Sequence, residues 1–287
     1  MSSSQIATPE LKSWIIDQAR AGHAPEAVLK AMTASGWDED VAISTLEQTL
    51  ESHLASLNLP FIEQAPAAPP PLPEPDLAKA PAELVVLGRR VKVLMSMRNP
   101  RVVVFGGLLD DAECDALIEQ ARPRMARSET VDVATGGSEV NAARTSRGMF
   151  FARGESALIA QVEARLAALL NWPLENGEGL QVLHYLPGAE YKPHYDYFDP
   201  AQPGTPTILK RGGQRLGTVV MYLNTPSAGG ATTFPDVELE VAAVRGNAVF
   251  FSYDSPMPAT RTLHGGAPVI EGEKWVATKW LRTGRFD

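Results

Sequence analysis

The stretch Tyr185-Leu-Pro-Gly-Ala-Glu-Tyr-Lys-Pro-His-Tyr-Asp-Tyr-Phe198 places a histidine and an aspartate two residues apart, at His194 and Asp196. In a β-strand, residues i and i+2 point to the same face, so both side chains can reach one metal ion. The third ligand must come from another segment, and His264 follows in Thr262-Leu-His-Gly-Gly266. Two histidines and one carboxylate, without thiolate ligands, are the facial set of mononuclear Fe(II) oxygenases. The pattern therefore predicts an Fe(II) site with open coordination positions.

A lysine lies ten residues beyond His264, at the start of the strand-like run Lys274-Trp-Val-Ala-Thr-Lys-Trp-Leu-Arg282. In a partly dry barrel mouth, a charge-assisted hydrogen bond is stronger than in water. Lys274 can therefore hold the far carboxylate of a bound dicarboxylate. The alternative interpretation is a solvated lysine at the end of a strand.

Composition limits the classes of function. The 287 residues allow one large domain and a small one, and the hydrophobic content of 44% is enough for a packed core. A net charge of −8 argues against nucleic-acid binding, which needs a basic surface. The single cysteine, Cys114, fits a reducing compartment. There is no signal-peptide pattern and no apolar run of membrane-spanning length. We expect a cytoplasmic protein with neither nucleic-acid nor membrane partners.

Three segments are expected along the chain. Residues 1–60 have a helical pattern, hold eight acidic and three basic residues, and should form a small three-helix bundle. Residues 61–83 are proline-rich and favour polyproline II, which is typical of a linker. Residues 84–287 should form the catalytic domain, with amphipathic helices at 110–122 and 155–170.

The catalytic segment then changes to short strands separated by glycine and proline turns. Strands are predicted at 102–105, 179–186, 190–197, 216–223, 231–234, 247–252, 260–264 and 274–282. Helices followed by a run of strands that carries a metal site indicate a mainly β fold with helical support (α+β). The expected architecture is a double-stranded β-helix, or jelly-roll.

Several motifs between residues 99 and 282 resemble one enzyme family in their order: Arg144–Met149, Glu175–Gln181, Tyr185–Phe198, Gly212–Arg215, Met221–Asn224, Gly229–Pro235, Leu263–Val269, Gly272–Trp275 and Lys279–Arg282. The family is the prolyl 4-hydroxylases (catalytic alpha-subunit type) of the Fe(II)/2-oxoglutarate dioxygenases. Ala231, Gly265 and Ala267 depart from the residues that are usual at these positions, glutamate, alanine and cysteine. None of these changes removes a ligand.

The resemblance implies roles for individual residues. His194, Asp196 and His264 would bind iron, and Lys274 would pair with the C5 carboxylate of 2-oxoglutarate. The same pocket would be lined by Tyr185 and Thr232. The peptide groove would be lined by Tyr191, Arg215, Trp280, Glu178, Arg144 and Ser146.

The implied activity is hydroxylation of prolyl residues in a peptide or protein, coupled to decarboxylation of 2-oxoglutarate to succinate and CO₂. O₂ is the co-substrate, and ascorbate is expected to help. Two alternatives stay open at this point. One is a hydroxylase of a free amino acid or another small molecule. The other is a binding protein with a vestigial site.

The N-terminal segment has a weaker resemblance. Residues 31–46 are similar to the ubiquitin-associated helical module in the order of a methionine, a glycine with an aromatic residue, and then alanine and leucine at helical spacing. The resemblance implies a protein partner for this bundle. A small helical bundle without any ubiquitin-related role is the alternative.

Overall fold

A computed structural model of the protein describes residues 7–20, 23–56, 71–127, 130–131, 138–139 and 144–287. The chain divides into two compact units, Met1–Pro69 and Pro70–Asp287. Among the described residues, none of the helices combines the length and the apolar character that a bilayer-spanning segment requires.

The first unit contains three helices, as predicted: α1 (Pro9–Arg20), α2 (Pro25–Ala34) and α3 (Glu39–Ser56). The first two begin at a proline, whose fixed φ and missing N–H suit the first helical turn. The three helices share a buried core that consists of Ile15, Val28, Met32, Ala42 and Leu46. Val28 and Met32 are four residues apart, as are Ala42 and Leu46, so each pair lies on one face of its helix.

The second unit is rich in strands. Its helices are α4 (Asp111–Ala121), α5 (Ala157–Leu169) and α6 (Thr205–Leu209). Its strands are β1 (Glu83–Val86), β2 (Arg89–Met97), β3 (Arg101–Gly106), β4 (Ala126–Arg127), β5 (Thr130–Val131), β6 (Ser138–Glu139), β7 (Arg147–Phe151), β8 (Leu180–Tyr185), β9 (Tyr191–His194), β10 (Arg215–Tyr222), β11 (Ala228–Gly229), β12 (Thr232–Phe234), β13 (Leu239–Val241), β14 (Ala248–Ser252), β15 (His264–Gly266), β16 (Val269–Glu271) and β17 (Lys274–Arg282).

Two of the sheets form the predicted jelly-roll. The larger sheet has the strand order β1-β2-β3-β14-β10-β17-β8-β7-β4, and the smaller has the order β13-β12-β15-β9. One buried cluster joins alternate residues of the larger sheet, such as Phe250 and Ala277, to Leu117 of α4 and Leu166 of α5. A second cluster joins the opposite face of that sheet to Phe234 of the smaller sheet. The larger sheet is therefore covered by helices on one face and by the smaller sheet on the other.

Strand β17 lies within this sandwich and is buried along all nine residues. Because side chains alternate in a strand, Trp275 and Ala277 point to the helical layer. Lys274 and Thr278 occupy the alternate positions of the strand, so their side chains point to the opposite face, toward the smaller sheet. The strand pairs with β8 on one side and β10 on the other, so its backbone donors and acceptors are used in the two ladders.

The described part of the segment predicted as a linker belongs to the second unit, so the prediction of 61–83 extends too far at its carboxyl end. Pro73 and Pro75 are buried. The amide of Glu74 donates to the carbonyl of Leu170 at 2.8 Å, and Arg101 donates to the Glu74 carboxylate. These contacts anchor residues 71–82 to the catalytic domain. Residues 61–70 lie outside the described residues.

One predicted strand is misplaced. Residues 258–260 form a short 3-10 turn, and Arg261 has a left-handed φ of 54°. The strand begins only at His264, and it pairs with β9 and β12. The turn at Pro258 and the left-handed backbone of Arg261 therefore delay the start of this strand to His264.

Candidate active site

The structure brings His194, Asp196 and His264 together between the ends of two paired strands. His194 is the last residue of β9 and His264 the first of β15, and the two are directly opposite each other in the ladder. Asp196 follows two residues after the end of β9, so the predicted strand over 190–197 is shorter than expected. One ligand atom from each of the three residues lies within 4.8 Å of the others.

The two histidines are held in the tautomer that metal binding requires. The Nδ1 atom of His194 lies 2.9 Å from the carbonyl oxygen of Lys192, and that of His264 lies 3.0 Å from the carbonyl of Thr262. Because a carbonyl only accepts, each Nδ1 must carry the proton. Each Nε2 therefore presents a lone pair, and each lies 3.5 Å from a carboxylate oxygen of Asp196. Such carbonyl partners are typical of histidines that ligate metals.

The electrostatics of the three groups favour a bound cation. Burial alone would raise the pKa of Asp196, but the imidazoles of His264 and His194, followed by Arg215, outweigh it and hold the pKa well below its usual range. Burial lowers the pKa of His264 to about 4, although Asp196 opposes this change. A carboxylate and a neutral imidazole are the protonation states that bind Fe(II). The donor set and its geometry therefore fit the metal.

Lys274 forms the other end of the same cavity. It is 3% exposed, and its Nζ lies 5.3 Å from the centroid of the Tyr185 ring, which is opposite it in the β8–β17 ladder. Burial lowers the pKa of the ammonium group to about 8. Within the ranges that the structure describes, no carboxylate forms an ion pair with it. The site thus holds a buried cation that lacks a counter-ion of its own.

Thr232 is also buried in this cavity, and its hydroxyl accepts a hydrogen bond from Tyr222 at 2.8 Å. The apolar lining is supplied by Leu183, Val220 and Val276. Nine of the predicted residues line this small cavity of about 50 Å³: Arg144, Tyr185, Tyr191, His194, Asp196, Thr232, His264, Lys274 and Trp280.

Comparison with known proteins identifies the family to which the chain is similar. Residues 180–282 match the family model of the 2OG-Fe(II) oxygenase superfamily. Prolyl 4-hydroxylase 2 of Arabidopsis thaliana is 37% identical over 219 residues, which cover 68% of this chain and 72% of that protein. The chain belongs to the prolyl 4-hydroxylase family. Prolyl 4-hydroxylase 5 of the same plant is 39% identical over 210 residues, which cover 66% of this chain and 70% of that protein.

A solved structure is similar as well. It is the 2-oxoglutarate complex of viral collagen prolyl hydroxylase from Paramecium Bursaria Chlorella virus-1, which is 30% identical. The match covers 63% of this chain and 94% of that chain, with a TM-score of 0.49. The family model and the curated relatives identify the protein as a 2-oxoglutarate- and Fe(II)-dependent dioxygenase of the prolyl 4-hydroxylase family.

One wall of the cavity in this prolyl 4-hydroxylase family member is aromatic and cationic. Tyr191 stacks on His194, and the Arg144 guanidinium lies 4.9 Å from the centre of the Tyr191 ring. Arg144 also donates to Gln181 at 2.7 Å. Trp280 is buried, and its Nε1 has no hydrogen-bond partner in the described part of the chain. This wall therefore offers flat rings and an unused N–H donor.

Three predicted groove residues are not part of this lining. The Glu178 carboxylate accepts hydrogen bonds from Arg215 at 2.6 and 3.0 Å and from Arg282 at 2.7 Å. Arg215 in turn lies over the Trp280 ring at 4.1 Å and donates to the main-chain oxygen of Asp196 at 3.3 Å. These contacts assign Glu178 and Arg215 to the support of Trp280 and Asp196. Ser146 is buried as well, outside the cavity lining.

The structure adds residues that the sequence did not reveal. The Thr218 hydroxyl, from β10, donates to the Asp196 carboxylate at 2.7 Å. Threonine is common in strands, so its presence in β10 is not informative by itself. The one clue in the sequence is that Thr218 is adjacent to Val219, which places the two side chains on opposite faces of the strand. A further histidine, His184, is not part of the site. Its Nε2 lies 2.7 Å from a carboxylate oxygen of Glu273, and its ring stacks on Trp275 in the helical layer.

Proposed function

We propose that the protein hydroxylates prolyl residues in a peptide or protein, with 2-oxoglutarate and O₂ as co-substrates and with succinate and CO₂ as products. The observation that carries the proposal is the buried ammonium group of Lys274, which has no carboxylate partner among the described residues and shares one cavity with the three proposed metal ligands. A dicarboxylate that binds the metal at one end supplies the missing negative charge at the other.

In this proposal His194, Asp196 and His264 hold Fe(II), in a chain that belongs to a family of Fe(II) enzymes. When bound, the iron supplies the oxidative chemistry that decarboxylates 2-oxoglutarate and inserts oxygen into a C–H bond. The protein supplies binding, orientation and the exclusion of side reactions. Thr218 holds the orientation of the Asp196 carboxylate, and the backbone carbonyls behind the two histidines fix their rings.

Lys274, Tyr185 and Thr232 would bind 2-oxoglutarate. A buried lysine that is already desolvated makes a strong charge-assisted bond with a carboxylate, because little water has to be removed from it. The Tyr185 hydroxyl adds a donor from the opposite strand. The apolar side chains of Leu183, Val220 and Val276 would exclude water from the carbon chain of the bound 2-oxoglutarate.

The substrate side is proposed to be the wall formed by Tyr191, Arg144 and Trp280. Flat aromatic surfaces pack well against the ring of proline, and the Trp280 N–H can donate to a peptide carbonyl. A peptide is favoured over a free amino acid because a second cavity of about 680 Å³ lies beside Arg215, lined in part by the half-exposed Phe150. This space can accommodate residues that flank the target proline.

Three further proposals concern the cellular context. Ascorbate would support turnover by keeping the iron reduced. A cytoplasmic location is proposed from the single, buried Cys114, which suits a reducing compartment. The N-terminal bundle would bind a protein partner, and its resemblance to the ubiquitin-associated module is the basis for testing ubiquitin first.

The experiment measures release of labelled CO₂ from carboxyl-labelled 2-oxoglutarate with Fe(II) and ascorbate. Proline-rich peptides, free proline and no acceptor are compared, and peptide products are analysed for an added oxygen on proline. Stimulation by peptides with prolyl hydroxylation is expected. Stimulation by free proline alone would replace the peptide assignment with a small-molecule one. No release from iron-loaded protein would support the vestigial binding protein.

A further inference from the structure

The cavity of about 680 Å³ beside Arg215 is rich in positive charge. Its lining includes four arginines and two carboxylates: Arg153, Arg211, Arg215, Arg282, Glu178 and Asp287. The chain as a whole has a net charge of −8, so this excess of arginine is opposite to its overall composition. A cleft lined mainly by one sign of charge attracts ligands of the opposite sign.

The buried part of this lining connects the cavity to the candidate active site. Glu178 accepts hydrogen bonds from both Arg215 and Arg282, and Arg215 lies 4.1 Å from the centre of the Trp280 ring. The half-exposed ring of Phe150 continues the same wall, with its centroid 6.4 Å from that of Trp280. A peptide that packs against Trp280 at the active site can therefore extend into this cavity.

The other two arginines are less buried and bind a replaceable partner. Arg153 pairs with the Asp287 carboxylate at 3.2 Å, and Arg211 donates to a main-chain oxygen of Asp287. In the described ranges of the chain, neither arginine forms an ion pair with any other side chain. The Asp287 side chain is 65% exposed and also pairs with Arg285, so its bond to Arg153 adds little stability. A carboxylate from another molecule can therefore take its place.

Both arginines are held in position by the surrounding chain. The carbonyl oxygen of Glu175 accepts a hydrogen bond from Arg153 at 2.7 Å and another from the amide of Phe286 at 2.9 Å. The Arg211 guanidinium lies over the Phe286 ring at 4.0 Å. Because the two guanidinium groups are ordered before a ligand arrives, binding costs less conformational entropy.

We propose that Arg153 and Arg211 form a subsite for an acidic side chain of the peptide substrate, close in sequence to the target proline. The proposal rests on the prolyl hydroxylation described above and names the class of peptide that the same site prefers. Asp287 occupies the subsite in the free protein, where the peptide carboxylate binds during turnover. Prolines with a nearby glutamate or aspartate are therefore selected, and a lysine at that position is repelled by the two arginines.

The test compares peptides that differ in one residue. Glutamate is moved through the positions on both sides of a single proline, and each peptide has counterparts with glutamine or lysine at the same position. The full chain is supplied with Fe(II), 2-oxoglutarate and ascorbate, and kcat/KM is measured from the hydroxylated product. At one position, or at two neighbouring ones, glutamate should be preferred over glutamine by about tenfold, as expected for one charge-assisted hydrogen bond. Lysine should be the poorest there, and added salt should reduce the preference.

Variants identify the residues responsible for the preference. Arg153→Gln and Arg211→Gln should each bring the ratio of kcat/KM between glutamate and glutamine peptides toward one. Asp287→Asn weakens the internal competitor and should lower the KM of the glutamate peptides alone. Arg285→Gln is the matched control, because Arg285 also binds Asp287 but does not line the cavity. This control should keep the native preference.

The outcomes separate this subsite from the proposed function. Equal kcat/KM for glutamate and glutamine peptides at every position would overturn the subsite and leave prolyl hydroxylation intact. A native preference in both Arg153→Gln and Arg211→Gln would overturn it as well, as would loss of the preference in Arg285→Gln. If no peptide is hydroxylated at any position, both proposals are wrong.

Discussion

Tyr191 stacks directly on the side chain of His194, with ring centroids 3.7 Å apart and an interplanar angle of 24°. The proposed peptide wall and a proposed iron ligand are therefore in contact, and the position of one ring constrains the other. A peptide that packs against Tyr191 therefore contacts the proposed metal site indirectly, by way of the Tyr191 ring.

Tyr191→Leu should therefore affect two properties at once. Loss of the stacked ring should raise the peptide KM and weaken Fe(II) binding, since the His194 ring gains rotational freedom. Tyr191→Phe keeps the ring and should retain native Fe(II) affinity. Metal titration and peptide kinetics on the two variants check this. Equal Fe(II) affinity in Tyr191→Leu and the native protein would show that the stack does not orient His194.

Thr218→Val removes the hydroxyl that Asp196 accepts and keeps the shape of the side chain. Loss of such a partner behind a metal ligand typically costs about 10–100-fold in metal affinity or activity. Fe(II) titration measures the effect. Thr233→Val, on β12 of the smaller sheet and outside the cavity lining, is the control and should bind Fe(II) normally. The role assigned to Thr218 is wrong if both variants behave alike.

Lys274→Met should separate stability from function. The folded state without ligand buries an ammonium group, which lowers its pKa from 10.5 to about 8 and costs up to roughly 3 kcal/mol below pH 8. Methionine removes this cost, so the Tm without ligand should rise at pH 7, and the gain should fade as the pH approaches 10.5. The KM for 2-oxoglutarate should rise strongly while iron stays bound. A lower Tm together with an unchanged KM would contradict both parts.

The same group predicts a pH dependence of co-substrate binding. Below a pH of about 8, Lys274 is protonated and ready for a carboxylate. Above that value, binding must bring a proton with it, so affinity for 2-oxoglutarate should fall by about tenfold for each further pH unit. Calorimetry in buffers of different ionisation enthalpy measures the proton uptake. Lys274→Arg, which stays charged, should flatten the profile.

Glu178→Gln should be strongly destabilising. Burial alone would raise the pKa of Glu178, but Arg215 and Arg282 outweigh it and lower the pKa. Removing the negative charge leaves two buried arginines with weaker partners, and breaking a buried pair typically costs about 3–5 kcal/mol. Urea unfolding measures the loss. Glu155→Gln, in a more exposed pair with Arg124, is the control and should change the midpoint little.

The grouping of the three proposed metal ligands was predictable because their spacing has a direct geometric meaning. His194 and Asp196 are two residues apart, and this short spacing lets both side chains reach one site even though Asp196 lies beyond the end of β9. Lys274 begins a strand whose phase is set by the apolar residues around it. Glu178 illustrates the limit of this reasoning. Its motif resembles a groove position, but the carboxylate binds two arginines that are distant in sequence. Long-range pairing of this kind leaves no local pattern.

The β1–β2 hairpin was also missed, because its strands at 83–97 are half-exposed and contain charged residues at several positions. Thr218 was missed for a different reason. Its importance comes from one hydroxyl group that faces Asp196 across the sandwich, and any β-branched residue would satisfy the strand pattern. The sequence thus predicts which side of a strand a residue faces better than it predicts which residues that side chain contacts.

The complete burial of β17 also limits how this site can change over evolutionary time. Lys274, Val276, Thr278 and Trp280 reach the cavity because they occupy alternate positions, and the residues between them fill the helical layer. Deleting or inserting a single residue near the start of β17 would exchange its cavity-facing and helix-facing residues. The lysine would then lie in the helical layer, and a tryptophan or an alanine would face the site. New substrate preferences are therefore accessible by point substitution in this strand, whereas changes of length are confined to the loops that surround it.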